Sequence, residues 1–236
     1  MFDRFASQFQ TVARRCRSKP MLPASILLIL VGFGVFAEIA EDVGERESHG
    51  FDRSILIAMR DSINPPNPWG SEAAVQIIRD ITSLGGFTVL TGLTLASIGA
   101  AFFLGKPRLA ALIAVAISGG MVLSALMKRG FDRPRPDLVP HGVIVTSASF
   151  PSGHAMMSAI VYLTLGVLLA RTQPLLAFRV YLLFLSVCIT ILVGLSRIYL
   201  GVHWPTDVFA GWAFGIAWSL LFGLIAIKID PHSQIK

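Results

Sequence analysis

Two cysteines and little charge set the first limits on this chain. Cys16 lies in a basic stretch and Cys188 inside an apolar run, so the pair neither suggests a disulfide nor has metal-ligand spacing. Only 14% of the 236 residues are charged, too few for a soluble nucleic-acid binder, although the formal charge is +6. The basic residues fall at the ends of apolar runs and in one short loop, without interleaved aromatics, and no nucleic-acid partner is expected. What the chain has in abundance is apolar residues, 54% of the total. With a mean hydropathy of +0.68, it is an integral membrane protein.

A span across the hydrocarbon core needs roughly 20 apolar residues. Six segments approach that length, near 22–40, 86–104, 107–127, 154–170, 179–196 and 207–227. The expected fold class is all-α: a six-transmembrane helical bundle with an interfacial helical loop between the first two spans. Residues 1–20 form a basic N-terminus, and 21–236 read as one membrane-embedded domain. Arg4, Arg14, Arg15, Arg17 and Lys19 precede the first span, which marks that end as cytoplasmic. A cleaved signal peptide is the rival reading, but the apolar run continues to Ala40, and an uncleaved anchor is favoured.

With the N-terminus inside, Lys106, Arg108, Arg171, Arg179 and Lys228 all fall inside, with the C-terminus. The expected location is a bacterial inner membrane, with any outer-facing site opening on the periplasm. The segment 41–85 is broken by Asn64, Pro65, Pro66, Asn67 and Pro68 into two amphipathic halves. In the second half, Ala74, Ile77, Ile78 and Ile81 recur at helical spacing and lay an apolar face on the bilayer.

Against the usual charge bias, Lys128, Arg129, Arg133 and Arg135 cluster on the outer side. The same face carries Pro151-Ser152-Gly153-His154, and then Ser196-Arg197 followed by His203 and Asp207. Phosphoryl transfer needs cations on the non-bridging oxygens, preset donors, an in-line nucleophile and an acid for the leaving oxygen. Lys128, Arg135 and Arg197 supply the cations, the two guanidinium forks matching phosphate bidentately. Ser152 and Gly153 open a span, where backbone N–H groups and the helix dipole favour an anion.

His203 and Asp207 are four apart with Pro205 at a helix start, so one turn sets the carboxylate beside the imidazole and fixes its tautomer. His203 is then the nucleophile, and His154 the general acid and later base.

These residues resemble the three signature motifs of the type 2 phosphatidic acid phosphatase family, which also includes vanadium haloperoxidases. Lys128, Arg135 and Pro136 match the first motif, Pro151 through His154 the second, and Ser196, Arg197, His203 and Asp207 the third. The resemblance implies a metal-independent phosphatase acting through a phosphohistidine, with no cofactor. The expected partners are the bilayer and a lipid phosphomonoester or diphosphate, such as phosphatidate, phosphatidylglycerol phosphate or a polyprenyl diphosphate. No obligate protein partner is inferred.

Blander roles are expected elsewhere. Arg129 and Arg133 read as headgroup anchors, and Asp132 and Asp137 as counter-charges. His49, His141 and His232 are isolated, and Gly119, Gly120, Gly211 and Gly215 permit close helix packing. Two rival functions remain: a vanadate-dependent haloperoxidase, and a non-catalytic protein that grips or transports lipid phosphate.

Overall fold

A computed structural model describes residues 21–45, 49–60, 68–137 and 147–229. The basic N-terminus, the 61–67 stretch with its prolines, His141 and His232 lie outside the described residues. Eight helices carry the described chain: α1 Met21–Glu45, α2 His49–Ala58, α3 Glu72–Ser83, α4 Phe87–Phe103, α5 Pro107–Phe131, α6 Gly153–Thr172, α7 Leu176–Tyr199 and α8 Pro205–Ile229.

Five of these, α1 and α5 to α8, are each long and apolar enough to cross a membrane. Where the sequence predicts the second of six spans, the 17-residue α4 follows α3 across a bend of 40°, and the two pass as a candidate span only together. At about 1.5 Å per residue, α4 alone falls short of the roughly 30 Å hydrocarbon core. The break comes at Gly85-Gly86, where helix propensity is lowest. The expected amphipathic helix is therefore α3. Ile77 is exposed, while Thr82 is buried where α3 packs against α7.

Lipid offers no hydrophobic drive between helices, so close packing depends on small residues. A Cβ at Gly211 would stand 3.0 Å from the Ser152 carbonyl, and one at Gly215 2.5 Å from the Ala159 Cβ. Bare backbone there lets α8 lie against the first turns of α6. Within α6, residues Ala159–Leu163 widen into a π-helical turn. The core forms where α5, α6 and α8 meet, around Ile113, Ala116, Ile117, Met156, Ile160 and Phe214.

Candidate active site

Three chain turns deliver the signature residues to one end of the bundle. At the end of α5, Asp132 adopts φ 42, a left-handed conformation that aspartate tolerates, and its N–H bonds the Lys128 carbonyl. The sequence reading made Asp132 a counter-charge, whereas the structure gives it the helix terminus that turns Arg133 and Arg135 back over the bundle. At the end of α7, Gly201 takes φ 71. The Gly201 N–H bonds Ile198 O at 2.9 Å and the Val202 N–H bonds Arg197 O at 3.2 Å, a Schellman termination. His203 thereby returns toward Arg197. At the start of α6, the Ser152 N–H donates to the Asp207 carbonyl at 3.0 Å, tying the second motif to the third.

His203 and Asp207 meet as their spacing suggested. The ring Nδ1 lies 3.3 Å from Asp207 Oδ2, with the two side chains 2% and 0% exposed. On the opposite edge, Arg135 Nη1 stands 3.2 Å from Nε2. A guanidinium can only donate, so Nε2 carries the lone pair and the proton sits on Nδ1, facing the carboxylate. Burial pushes the His203 pKa down to about 3, with Asp207 acting in the opposite direction.

The cations are held in place. Lys128 Nζ donates to Ala148 O at 2.8 Å, and Arg135 to Ser147 O and Val202 O at 2.8 and 2.6 Å. Arg197, only 3% exposed, donates from Nη1 to Thr82 Oγ1 at 3.0 Å, while its Nε has no partner. Ser152 caps α6 without a side-chain bond, and its buried Oγ is likewise unpartnered. Each of these signature residues thus keeps a buried donor with which an anion could bond. Beside Gly153, a Cβ would contact the Lys128 Cε at 3.5 Å, so that backbone is close to the first-motif cation. Lys128, Arg135, Arg197 and His203 all act electrostatically on the His154 imidazole, in the first turn of α6.

An open apolar groove of about 370 Å³ begins at Gly153 and His154. It runs between α4 and α5 past Leu90, Thr94, Ile98 and Ile117.

The sequence reading missed several residues. Ser149 is fully buried and hydrogen-bonds Asp207 Oδ2, which also accepts from the Trp204 N–H at 2.9 Å. Arg133, read as a headgroup anchor, is 6% exposed and bridges Asp207 Oδ1 at 2.6 Å and Asp52 Oδ2 at 2.8 Å. Arg129 is exposed, as a surface anchor should be. Asp52 and Thr82 belong to the helices before α4 and bear no motif. Their only sequence signal is a polar residue within an amphipathic helix. Arg133 differs from Arg129 only in its fold context.

Known proteins bear on this geometry. Residues 108–228 match the model of the PAP2 superfamily. The chain is 36% identical over 160 residues to phosphatidylglycerophosphatase B of Bacillus subtilis, covering 67% of this chain and 74% of that one. It is 36% identical over 91 residues to an undecaprenyl-diphosphatase of Sulfolobus acidocaldarius, covering 39% and 38% of the two chains. A lipid A 1-phosphatase of Rhizobium johnstonii is 32% identical over 113 residues, covering 44% and 42%. In three dimensions the fold matches a crystal structure of a transmembrane PAP2 type phosphatidylglycerolphosphate phosphatase from Bacillus subtilis. That match has a TM-score of 0.77 and 28% identity, over 86% of this chain and 98% of the other.

A helical membrane bundle with these motifs at one end defines the class, that of integral membrane phosphatases. The chain belongs to the PAP2 superfamily, and it is a hydrolase of lipid phosphates.

Proposed function

We propose that the chain removes the terminal phosphoryl group of a lipid phosphomonoester or diphosphate through a phosphohistidine on His203, at the outer face of a bacterial inner membrane. The alignment of Arg135, His203 and Asp207 carries this reading, because it leaves the Nε2 lone pair directed at the cationic side of the site. In the free site Arg135 engages that lone pair. An incoming phosphate, gripped by Lys128, Arg135 and Arg197, draws the guanidinium onto its oxygens and exposes Nε2 to phosphorus. The new N–P bond forms as the P–O bond to the lipid breaks, and His154 gives its proton to the leaving oxygen. Asp207 stabilises the resulting ring cation. His154 then takes a proton from water, whose oxygen attacks phosphorus, and the N–P bond breaks to release inorganic phosphate and neutral His203.

The groove that starts at His154 supports a lipid substrate, since it offers one hydrocarbon chain an apolar course away from the site. Outward orientation is supported by Lys106, Arg108, Arg171, Arg179 and Lys228 at the opposite helix ends. The test is phosphate release by purified protein in detergent from a panel of phosphatidate, phosphatidylglycerol phosphate and a polyprenyl diphosphate, with H203A as the blank. Hydrolysis of at least one lipid by the wild type alone is expected. Equal release by H203A, or none by either, refutes the proposal.

A further inference from the structure

We propose that Asp52 of α2 and Arg133 of the α5–α6 connection are positioning residues that hold the His203–Asp207 pair in its reactive arrangement, so that α2, outside the spans, belongs to the catalytic apparatus.

The observations start with a helix whose N-cap position holds Trp204, a residue with no acceptor side chain. Trp204 precedes Pro205 at the start of α8, in the place where a Ser, Thr, Asp or Asn would bond the first free N–H groups. Asp52 does this from another element: its Oδ1 accepts the Thr206 N–H at 2.9 Å and its Oδ2 the Thr206 hydroxyl at 2.7 Å. That helix turn carries Asp207, so Asp52 fixes where the catalytic carboxylate begins.

Asp52 Oδ2 also accepts from Arg133 Nη2 at 2.8 Å, while Arg133 Nη1 reaches Asp207 Oδ1 at 2.6 Å and Thr206 Oγ1 at 2.8 Å. The planar guanidinium thus spans two carboxylates at a fixed separation, which an ammonium cannot do. The Arg133 guanidinium also stands 5.6 Å over the Trp204 ring. Both carboxylates are fully buried. A buried charge persists only when paired, and here two acids share one cation.

The chemical consequence follows from the division of Asp207. Oδ2 receives His203 Nδ1, the Ser149 hydroxyl and the Trp204 N–H, while Oδ1 is left for Arg133. Arg133 therefore sets the carboxylate plane, and so the direction of the imidazole that Oδ2 orients. It also withdraws charge from Asp207, and Asp52 limits that withdrawal. Of the other charged groups, Arg135 stands at Nε2 and Arg197 acts on the ring, while Lys128 acts on His154. None of these touches Asp52, so a change there reaches His203 through Arg133 and Asp207.

The experiment rests on His203 being the nucleophile and uses the full chain in detergent, with D52N, R133K and H203A assayed on the same lipid. D52N puts an amide N–H against the N–H of either Arg133 or Thr206 and removes one negative charge. It should lower kcat on the order of ten- to a hundredfold with KM within about threefold. Arg133 then offsets more of the Asp207 charge, so the acid limb of kcat/KM should move to lower pH. R133K keeps the charge but not the fork, and should lower kcat with little movement of that limb, while D52E should recover part of the loss. Inhibition by inorganic phosphate should be unchanged, since the phosphate cations are intact. Wild-type kcat in D52N, an acid limb that stays put, or folded protein from neither D52N nor R133K overturns the proposal. Activity in H203A would instead overturn the reading on which it rests.

Discussion

Arg135 Nη1 lies 3.2 Å from His203 Nε2, which places a permanent hydrogen-bond donor on the atom assigned to attack phosphorus. The contact assigns the tautomer, because an arginine has no acceptor to offer. On the proposed mechanism, the free site then protects its nucleophile until an anion competes for the guanidinium. R135A should lower kcat/KM by roughly 10²–10³, the usual cost of one preorganised donor to a developing anion. R135K should recover only a small part, because a point charge does not replace the fork. Steady-state kinetics on the best lipid of the panel decide this, and a loss of less than about tenfold would remove Arg135 from the clamp.

The buried ring of His203 has a consequence for pH. Its folded pKa of about 3 lies below the ordinary 6.5, chiefly through burial. The neutral, nucleophilic form therefore persists well below pH 6.5, and loss of kcat/KM through His203 should not centre there. Stability follows the same sign. As pH falls from about 6.5 toward 3, the unfolded chain gains a proton at this position that the folded site refuses, so folding weakens across that window. The decline in Tm between pH 7 and pH 4 should be smaller in H203Q than in the wild type. Equal declines would contradict the assignment.

Groove dimensions predict a split between lipid and soluble substrates. Ile98 lines the groove about two helical turns beyond Leu90 in α4. Ile98→Trp should displace a few methylenes of a bound chain. At about 0.8 kcal/mol per buried CH₂, losing two raises KM for a long-chain lipid phosphate about tenfold. A water-soluble phosphomonoester never reaches that depth, so its kinetics should be unchanged. Parallel loss on both substrates would place the hydrocarbon chain elsewhere.

Helix α7 carries Arg197 and depends on one bare backbone position. A Cβ at Gly194 would stand 2.2 Å from Trp212 Cζ2, and that indole is fixed by its Nε1–H donating to Thr190 O at 3.1 Å. Gly194→Ala should therefore cost about 1–3 kcal/mol by overpacking. Thermal unfolding in detergent measures it, and an unchanged Tm would show that the indole yields freely.

What was legible in the chain and what was not follow from how each residue announces itself. Apolar runs made the long helices readable, because in lipid a backbone must satisfy itself within each segment. Lys128, Arg135, His154, Arg197, His203 and Asp207 stood out as candidates because phosphoryl transfer demands such groups, and the structure brings them to one end of the bundle. The bent pairing of α3 with α4 was not readable, since Gly85-Gly86 falls between an amphipathic stretch and an apolar one that each make sense alone. Arg133 and Arg129 are chemically identical and four apart. Only the left-handed turn at Asp132 aims one of them inward at Asp207 and leaves the other on the surface. Asp52 and Thr82 reach the site from helices far away in sequence, and no local pattern records such contacts.

The central claim is covalent, and rapid quenching tests it directly. Wild-type protein mixed with lipid carrying a labelled terminal phosphate should be stopped within one turnover and digested, and the label located by mass spectrometry under alkaline conditions, where phosphohistidine survives. The account predicts the label on the peptide containing His203, in an acid-labile form, and none on H203A. A label on another residue, or turnover with no protein-bound phosphate at any time point, would contradict it.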